Sequence, residues 1–313
     1  MQVEKTMKSN RTNHLFKWLQ IGLLLIISPV VNAQNLNVVT SFSILGDMTR
    51  QVGGDRVQVH TLVGPDADAH VYQPTPADAK TIAQARLVIV NGYGFEGWLD
   101  RLIKSSGFKG PLVFAGKGIK TLKIAHKNEG HNHDHHDSEV DPHGWQDLSN
   151  ALRYVDNITS ALSAADPAGK ALYQANASKY KEQITALDAA IRKEISAIAP
   201  ERRKVVTSHD AFGYFSRAYG IRFIAPVGFN TEAEPSAADL GRIIKQIRRE
   251  KIPAVFLESI SDPRMLERIR QESGAKIGGT LYSDSLSKAD GPAASYLEMM
   301  RHNARTLTTA LAN

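Results

Sequence analysis

Across residues 166–198 the apolar side chains Leu172, Ala175, Tyr180, Ile184, Leu187, Ile191, Ile195 and Ile198 fall mostly three and four positions apart. That spacing paints one apolar stripe along a single helix, opened by Asp166-Pro167 and closed by Pro200. At 1.5 Å per residue such a helix is about 50 Å long, enough to run past one lobe and along a second. The alternative is two shorter helices broken near Ser178. A single stiff helix would disfavour large hinge closure between the bodies it joins.

On both sides of this helix, short β-branched runs alternate with longer helix-like segments. The predicted strands are 37–40, 57–63, 87–91 and 111–115 before it, and 204–208, 221–226, 254–258 and 276–281 after it. Alternation of this kind argues for parallel α/β architecture. The expected fold class is α/β, with two parallel-sheet α/β lobes joined by one long rigid helix and a ligand site in the cleft between them. The expected boundaries are 34–163 for the first lobe, 164–199 for the linker helix and 200–313 for the second lobe. A small internal echo, Val38-Val39-Thr40-Ser41-Phe42 against Val205-Val206-Thr207-Ser208-His209, suggests lobes of similar build.

Residues 1–33 read as a cleavable secretory signal: Lys5, Lys8, Arg11 and Lys17, an apolar run over 21–31, then small residues before Gln34. The run is about a dozen residues, short of the roughly 20 that span a bilayer. The chain has no cysteine, so the expectation is a free periplasmic protein without disulfides or a lipid anchor. Residues 1–33 carry four basic residues and Glu4, so their removal lowers the formal charge from +6 to +3. That leaves no electrostatic footprint for nucleic acid.

Four short patterns each offer one metal-binding side chain where a predicted strand gives way to a loop. They are Asp-Ala-His ending at His70, Asp-Pro-His-Gly-Trp around His143, Thr-Ser-His-Asp around His209 and Leu-Tyr-Ser-Asp-Ser around Asp284. Three imidazoles and one carboxylate suit Zn²⁺, and ligands of parallel sheets gather at the carboxyl ends of strands. Ser283 and Ser285 are placed to donate hydrogen bonds to Asp284. Asp66 and Asp68 compete with it for the fourth position. His60, within a strand, and His302, on a C-terminal amphipathic segment, read as structural.

The stretches His70-Val-Tyr-Gln-Pro-Thr-Pro, Asn91-Gly-Tyr-Gly-Phe-Glu-Gly-Trp98, Asp141-Pro-His-Gly-Trp145, Thr207-Ser-His-Asp-Ala-Phe-Gly-Tyr-Phe215 and Gly278-Gly-Thr-Leu-Tyr-Ser-Asp-Ser285 resemble one family. It is that of the substrate-binding proteins of metal-specific ABC transporters, cluster A-I, with ZnuA-type and AztC-type zinc binders and related manganese binders. The resemblance covers nearly all of residues 35–313. It implies two α/β lobes joined by a long helix, a metal held between them and delivery to a permease in the inner membrane. It also implies a monomer, with a periplasmic zinc chaperone as a further partner. Manganese-type members usually place a glutamate where this chain has His209; histidine there resembles the zinc type.

Residues 125–140 form a polar stretch containing His126, His131, His133, His135 and His136 among acidic residues. Composition alone lets such a loop bind divalent metal weakly, as a collecting segment for the main site or incidentally. The competing class is a periplasmic metallohydrolase using Glu96, Asp210, Glu232 or Glu258 as general base. No His-Glu-x-x-His helix or Gly-x-Ser-x-Gly elbow is present to support it. A metal buffer or adhesin without a transporter is the third reading.

Overall fold

The computed structural model describes residues 1–2, 35–123, 140–229, 231 and 235–312. In the first lobe β1 (Leu36–Phe42) pairs in parallel with β2 (Val57–Val63) and β3 (Leu87–Val90), and β3 with β4 (Leu112–Phe114). The sheet order is β2-β1-β3-β4. The second lobe repeats it: β5 (Lys204–Val206) lies between β6 (Arg222–Ile224) and β7 (Ala254–Glu258), and β7 pairs with β8 (Lys276–Leu281), giving β6-β5-β7-β8. All of these strand pairings are parallel. The echo noted in the sequence therefore links β1 and β5, which hold the same place in the two sheets.

Continuous burial explains the sequence of the inner strand β3. Leu87, Val88, Ile89 and Val90 are all buried, as a parallel strand covered on both faces requires. The helices that cover the sheets are α1 (Ser43–Gly53), α2 (Pro76–Ala83), α3 (Leu99–Ser106) and α4 (Leu148–Ala165) in the first lobe. In the second they are α6 (Gly213–Tyr219), α7 (Ala237–Glu250), α8 (Pro263–Ser273) and α9 (Tyr296–Ala312). Their starts follow local rules. Thr75 and Asp78 form a reciprocal capping box with Pro76 at the first turn of α2, Asp147 caps α4, Ser236 caps α7 and Asp262 caps α8.

The linker is one helix, α5 (Lys170–Ser196), unbroken at Ser178 and preceded by a tight turn over Pro167–Gly169. Its length is about 40 Å. The buried stripe is Tyr173, Ala177, Tyr180, Ile184, Leu187, Ile191 and Ile195. Leu172 is 41% exposed and Ala175 faces outward, so the expected stripe was out of phase in its first turn. The cause is Tyr173: its ring packs inward while its hydroxyl donates to Asp166, so a half-polar residue takes the core position. Helix α5 packs on α1 and α4 of the first lobe and on α6 and α9 of the second. One apolar cluster accordingly runs through both lobes, and a smaller one lies beneath α7 and α8.

Candidate metal centre

His70, His209 and Asp284 each follow a strand, β2, β5 and β8, as expected, whereas His143 departs from that expectation: among the described residues no strand leads into it, and it opens a short helical turn instead. His70 follows β2 on a loop whose turn is made by Asp68: its carboxylate accepts the His70 backbone N–H at 2.8 Å and the Thr231 hydroxyl at 2.6 Å. Trp98 Nε1 donates to the Ala69 carbonyl at 2.7 Å, and the His70 ring meets Phe95 edge-on at 4.6 Å. His143 opens a short turn over Gly144–Gln146. Asp141 Oδ1 accepts both its backbone N–H (2.9 Å) and lies 2.8 Å from its Nδ1, which directs Nε2 into the centre. A Cβ at Gly213 would lie 2.7 Å from the other Asp141 oxygen, so glycine is what lets α6 approach this carboxylate.

His209 follows β5 at the point where chain connections leave the second sheet in opposite directions, the crevice where α/β proteins place ligands. Glu258, at the end of β7, accepts the backbone N–H groups of Ser208 and His209 at 2.7 and 3.0 Å. Its second oxygen lies 2.8 Å from His209 Nδ1, an ion-pair distance without hydrogen-bond alignment. Asp284 follows β8 and is fully buried. Ser283 and Ser285 do not brace it as expected. Ser283 Oγ has no partner, and Ser285 Oγ faces Ser43 and the Gly64 and Leu286 carbonyls. Both serines lie beside the carboxylate in sequence, but the Ser285 hydroxyl is turned toward Ser43 and Gly64 of the first lobe.

The four side chains converge. Asp284 Oδ2 lies 2.9 Å from His209 Nε2 and 3.4 Å from His70 Nε2, while Oδ1 is 3.6 Å from His143 Nε2. One ligand atom from each residue falls within 4.8 Å of all the others, and all four residues are buried. Three of these atoms, His70 Nε2, His143 Nε2 and Asp284 Oδ1, are buried without a hydrogen-bond partner. Such orphans are rare in folded proteins and call for an explanation.

Electrostatics follows from the crowding. Burial favours the neutral form of His209, but Glu258 and Asp284 outweigh it and hold the imidazole protonated well above its usual range. Burial likewise opposes ionisation of Asp284, yet His209 and His143 keep its carboxyl well below the ordinary carboxylate range.

The remaining candidates lie elsewhere. Asp66 adopts a left-handed turn conformation and Asp68 is committed to Thr231 and the His70 backbone, so neither joins the cluster. His60 stands on β2 outside it, and His302, on α9, directs Nε2 to the Thr280 carbonyl on β8. Glu96 accepts from Ser41 and from the Asn91 and Gly92 backbone, bracing the loop after β3, and burial raises its pKa. Burial also raises that of Asp210, which stays outside the cluster. Glu232 and the loop histidines His126, His131, His133, His135 and His136 lie outside the described residues. Sequence reasoning read Glu258 only as a spare base and gave Asp141 no separate role. Asp141 had a signal, the Asp-x-His spacing it shares with Asp68; Glu258, 49 residues from His209, had none.

Two parallel α/β lobes enclosing three imidazoles and a carboxylate, all buried, define a metal-binding protein that holds its ion rather than working on a substrate. Residues 38–310 match the family described as ZnuA, zinc-uptake complex component A, periplasmic, and the chain belongs to that family. Among relatives, the iron-binding protein YfeA of Yersinia pestis is 35% identical over 280 residues, covering 90% of this chain and 88% of its own. The manganese ABC transporter substrate-binding lipoprotein PsaA of Streptococcus pneumoniae is 31% identical, covering 95% and 96%. The periplasmic zinc binding protein TroA of Treponema pallidum has the same fold, with a TM-score of 0.82 at 29% identity over 89% of this chain and 100% of its own. The protein is thus a periplasmic solute-binding component of a metal ABC transporter, not an enzyme, and its partner is the membrane permease.

Proposed function

We propose that the cargo is Zn²⁺, captured by His70, His143 and His209 through Nε2 and by Asp284, and handed to the permease for uptake. The observation that carries this reading is the set of orphaned buried atoms on three of those residues. Leaving each without a partner costs about 1–3 kcal/mol, and one dication satisfies them together. With metal–ligand bonds of about 2.1 Å, tetrahedral zinc needs ligand atoms about 3.4 Å apart. The Asp284 contacts of 2.9, 3.4 and 3.6 Å bracket that spacing. Three nitrogens favour zinc over manganese, which prefers oxygen. Carboxylates at the far nitrogens of His143 and His209 orient them as metal-bound histidines are usually oriented.

The names of YfeA and PsaA favour a second reading, iron or manganese as cargo. Metal analysis after stripping and competitive reloading with zinc and manganese separates the two. Zinc retained by the parent, with a shift toward manganese in His209→Glu, supports the zinc reading; preferential manganese loading of the parent refutes it. The stretch 125–140 is proposed to collect zinc at low affinity for the main site, from a periplasmic donor protein where one exists. Deleting residues 127–139 should lower stoichiometry and slow transfer from a zinc donor while the tight site survives.

A further inference from the structure

The turn that carries His143 also grips the backbone that carries Asp284. Trp145 Nε1 and Gln146 Nε2 both donate to the Ser283 carbonyl, at 2.9 and 2.7 Å, across 138 and 137 residues of sequence. The turn is itself fixed from behind. Asn150 Nδ2 donates to the Gly144 carbonyl at 3.2 Å, and the Tyr296 hydroxyl donates to the Trp145 carbonyl. Two candidate ligands far apart in the chain are therefore tied to one three-residue element.

Stability alone does not account for Gln146. Trp145 already satisfies the Ser283 carbonyl. Gln146 is fully buried and its Oε1 has no hydrogen-bond partner, a cost that leucine of similar size would avoid. The reverse amide orientation would set Oε1 against the Ser283 carbonyl oxygen, so the donor must face Ser283.

We propose that Gln146, acting with Trp145, is a positioning residue that sets Asp284 against His143 and thereby governs how tightly the cation is held. The inference rests on the reading of the four-residue cluster as the metal site. Gln146 touches no metal; it acts through the peptide that precedes Asp284.

A double-mutant cycle tests this, with zinc affinity measured by competition against a chelating dye and the melting temperature of the metal-free protein as control. Gln146→Leu is expected to weaken zinc binding about 10-fold or more while the metal-free melting temperature holds. In an Asp284→Ala background, where three imidazoles remain, the same substitution should change affinity little, because the group it positions is gone. An equal loss in both backgrounds, or no loss in the parent, overturns the proposal. Should Gln146→Leu fail to fold, Trp145→Phe runs through the same cycle, since it keeps an aromatic ring at the position and removes the Nε1 donor. A parent that binds neither zinc nor manganese overturns the reading of the site itself, a result distinct from any pattern among the variants.

Discussion

At the scale of single residues, the site is governed by carboxylates that bind no metal in the proposed arrangement. Asp141 holds His143 by two atoms at once, so Asp141→Asn, which weakens the acceptor, should lower zinc affinity about 10- to 100-fold in a dye competition. Glu258 and Asp284 keep His209 protonated above the usual histidine range, and zinc must displace that proton. Titration calorimetry at pH 7 in buffers of different ionisation enthalpy should therefore show about one proton released per zinc bound. The linkage has a definite sign. The raised His209 pKa stabilises the metal-free fold fully below the unfolded value, about 6.5, and this contribution is lost as pH rises through the folded value. Zinc affinity moves the other way, so the melting-temperature gain on adding zinc should grow from pH 6 to pH 8. A gain that shrinks over that interval contradicts the protonated imidazole. His70, His143, His209 and Asp284 were legible because each stands in a short recognisable pattern, and three of them, His70, His209 and Asp284, on the loop that follows a strand. The path of Ser285 was not, since its partners Ser43 and Gly64 lie more than 200 residues away.

At the scale of elements, strands that read as short β-branched runs were placed well. β2, β7 and β8 span the expected residues, whereas β5 and β6 are shorter than the expected runs because their mutual pairing stops at Val206 and Ile224. The linker helix was visible in its period, but its first turn was not. That turn is decided by Tyr173 reaching Asp166, which also pairs with Arg56 at 2.8 Å. Element packing also constrains the site. Helix α6 begins at Gly213 so that Asp141 can lie against it, and Gly213→Ala would drive a methyl to within 2.7 Å of that carboxylate. We expect this substitution both to weaken zinc binding and to lower the metal-free melting temperature, read by calorimetry and thermal denaturation. A variant with parental affinity would show that α6 yields instead of Asp141.

At the scale of the whole molecule, two sheets of the same order present equivalent crevices, and each is braced by a carboxylate. In the first, Glu96 links the end of β1 to the loop after β3; in the second, Glu258 links the end of β5 to β7. His209 stands in the second where Phe42 stands in the first, so one crevice presents an imidazole where the other packs an apolar ring against Phe95 and Trp145. The apolar cluster is continuous through both lobes and α5, which opposes hinge opening. Small-angle scattering should give the same radius of gyration, within error, with and without zinc; an increase of several ångströms on stripping would show that the lobes part.

The sequence by itself determined the alternation of strands and helices, the single long linker, the helix starts and the four candidate ligand types. These depend on periodicity and on neighbours a few residues apart. Only the tertiary structure decided which carboxylate joins the imidazoles, which nitrogen of each ring faces inward and which groups stand behind them. Those choices are made by hydrogen bonds spanning tens to hundreds of residues and by burial, which makes an unpaired polar atom costly only once the fold has closed around it.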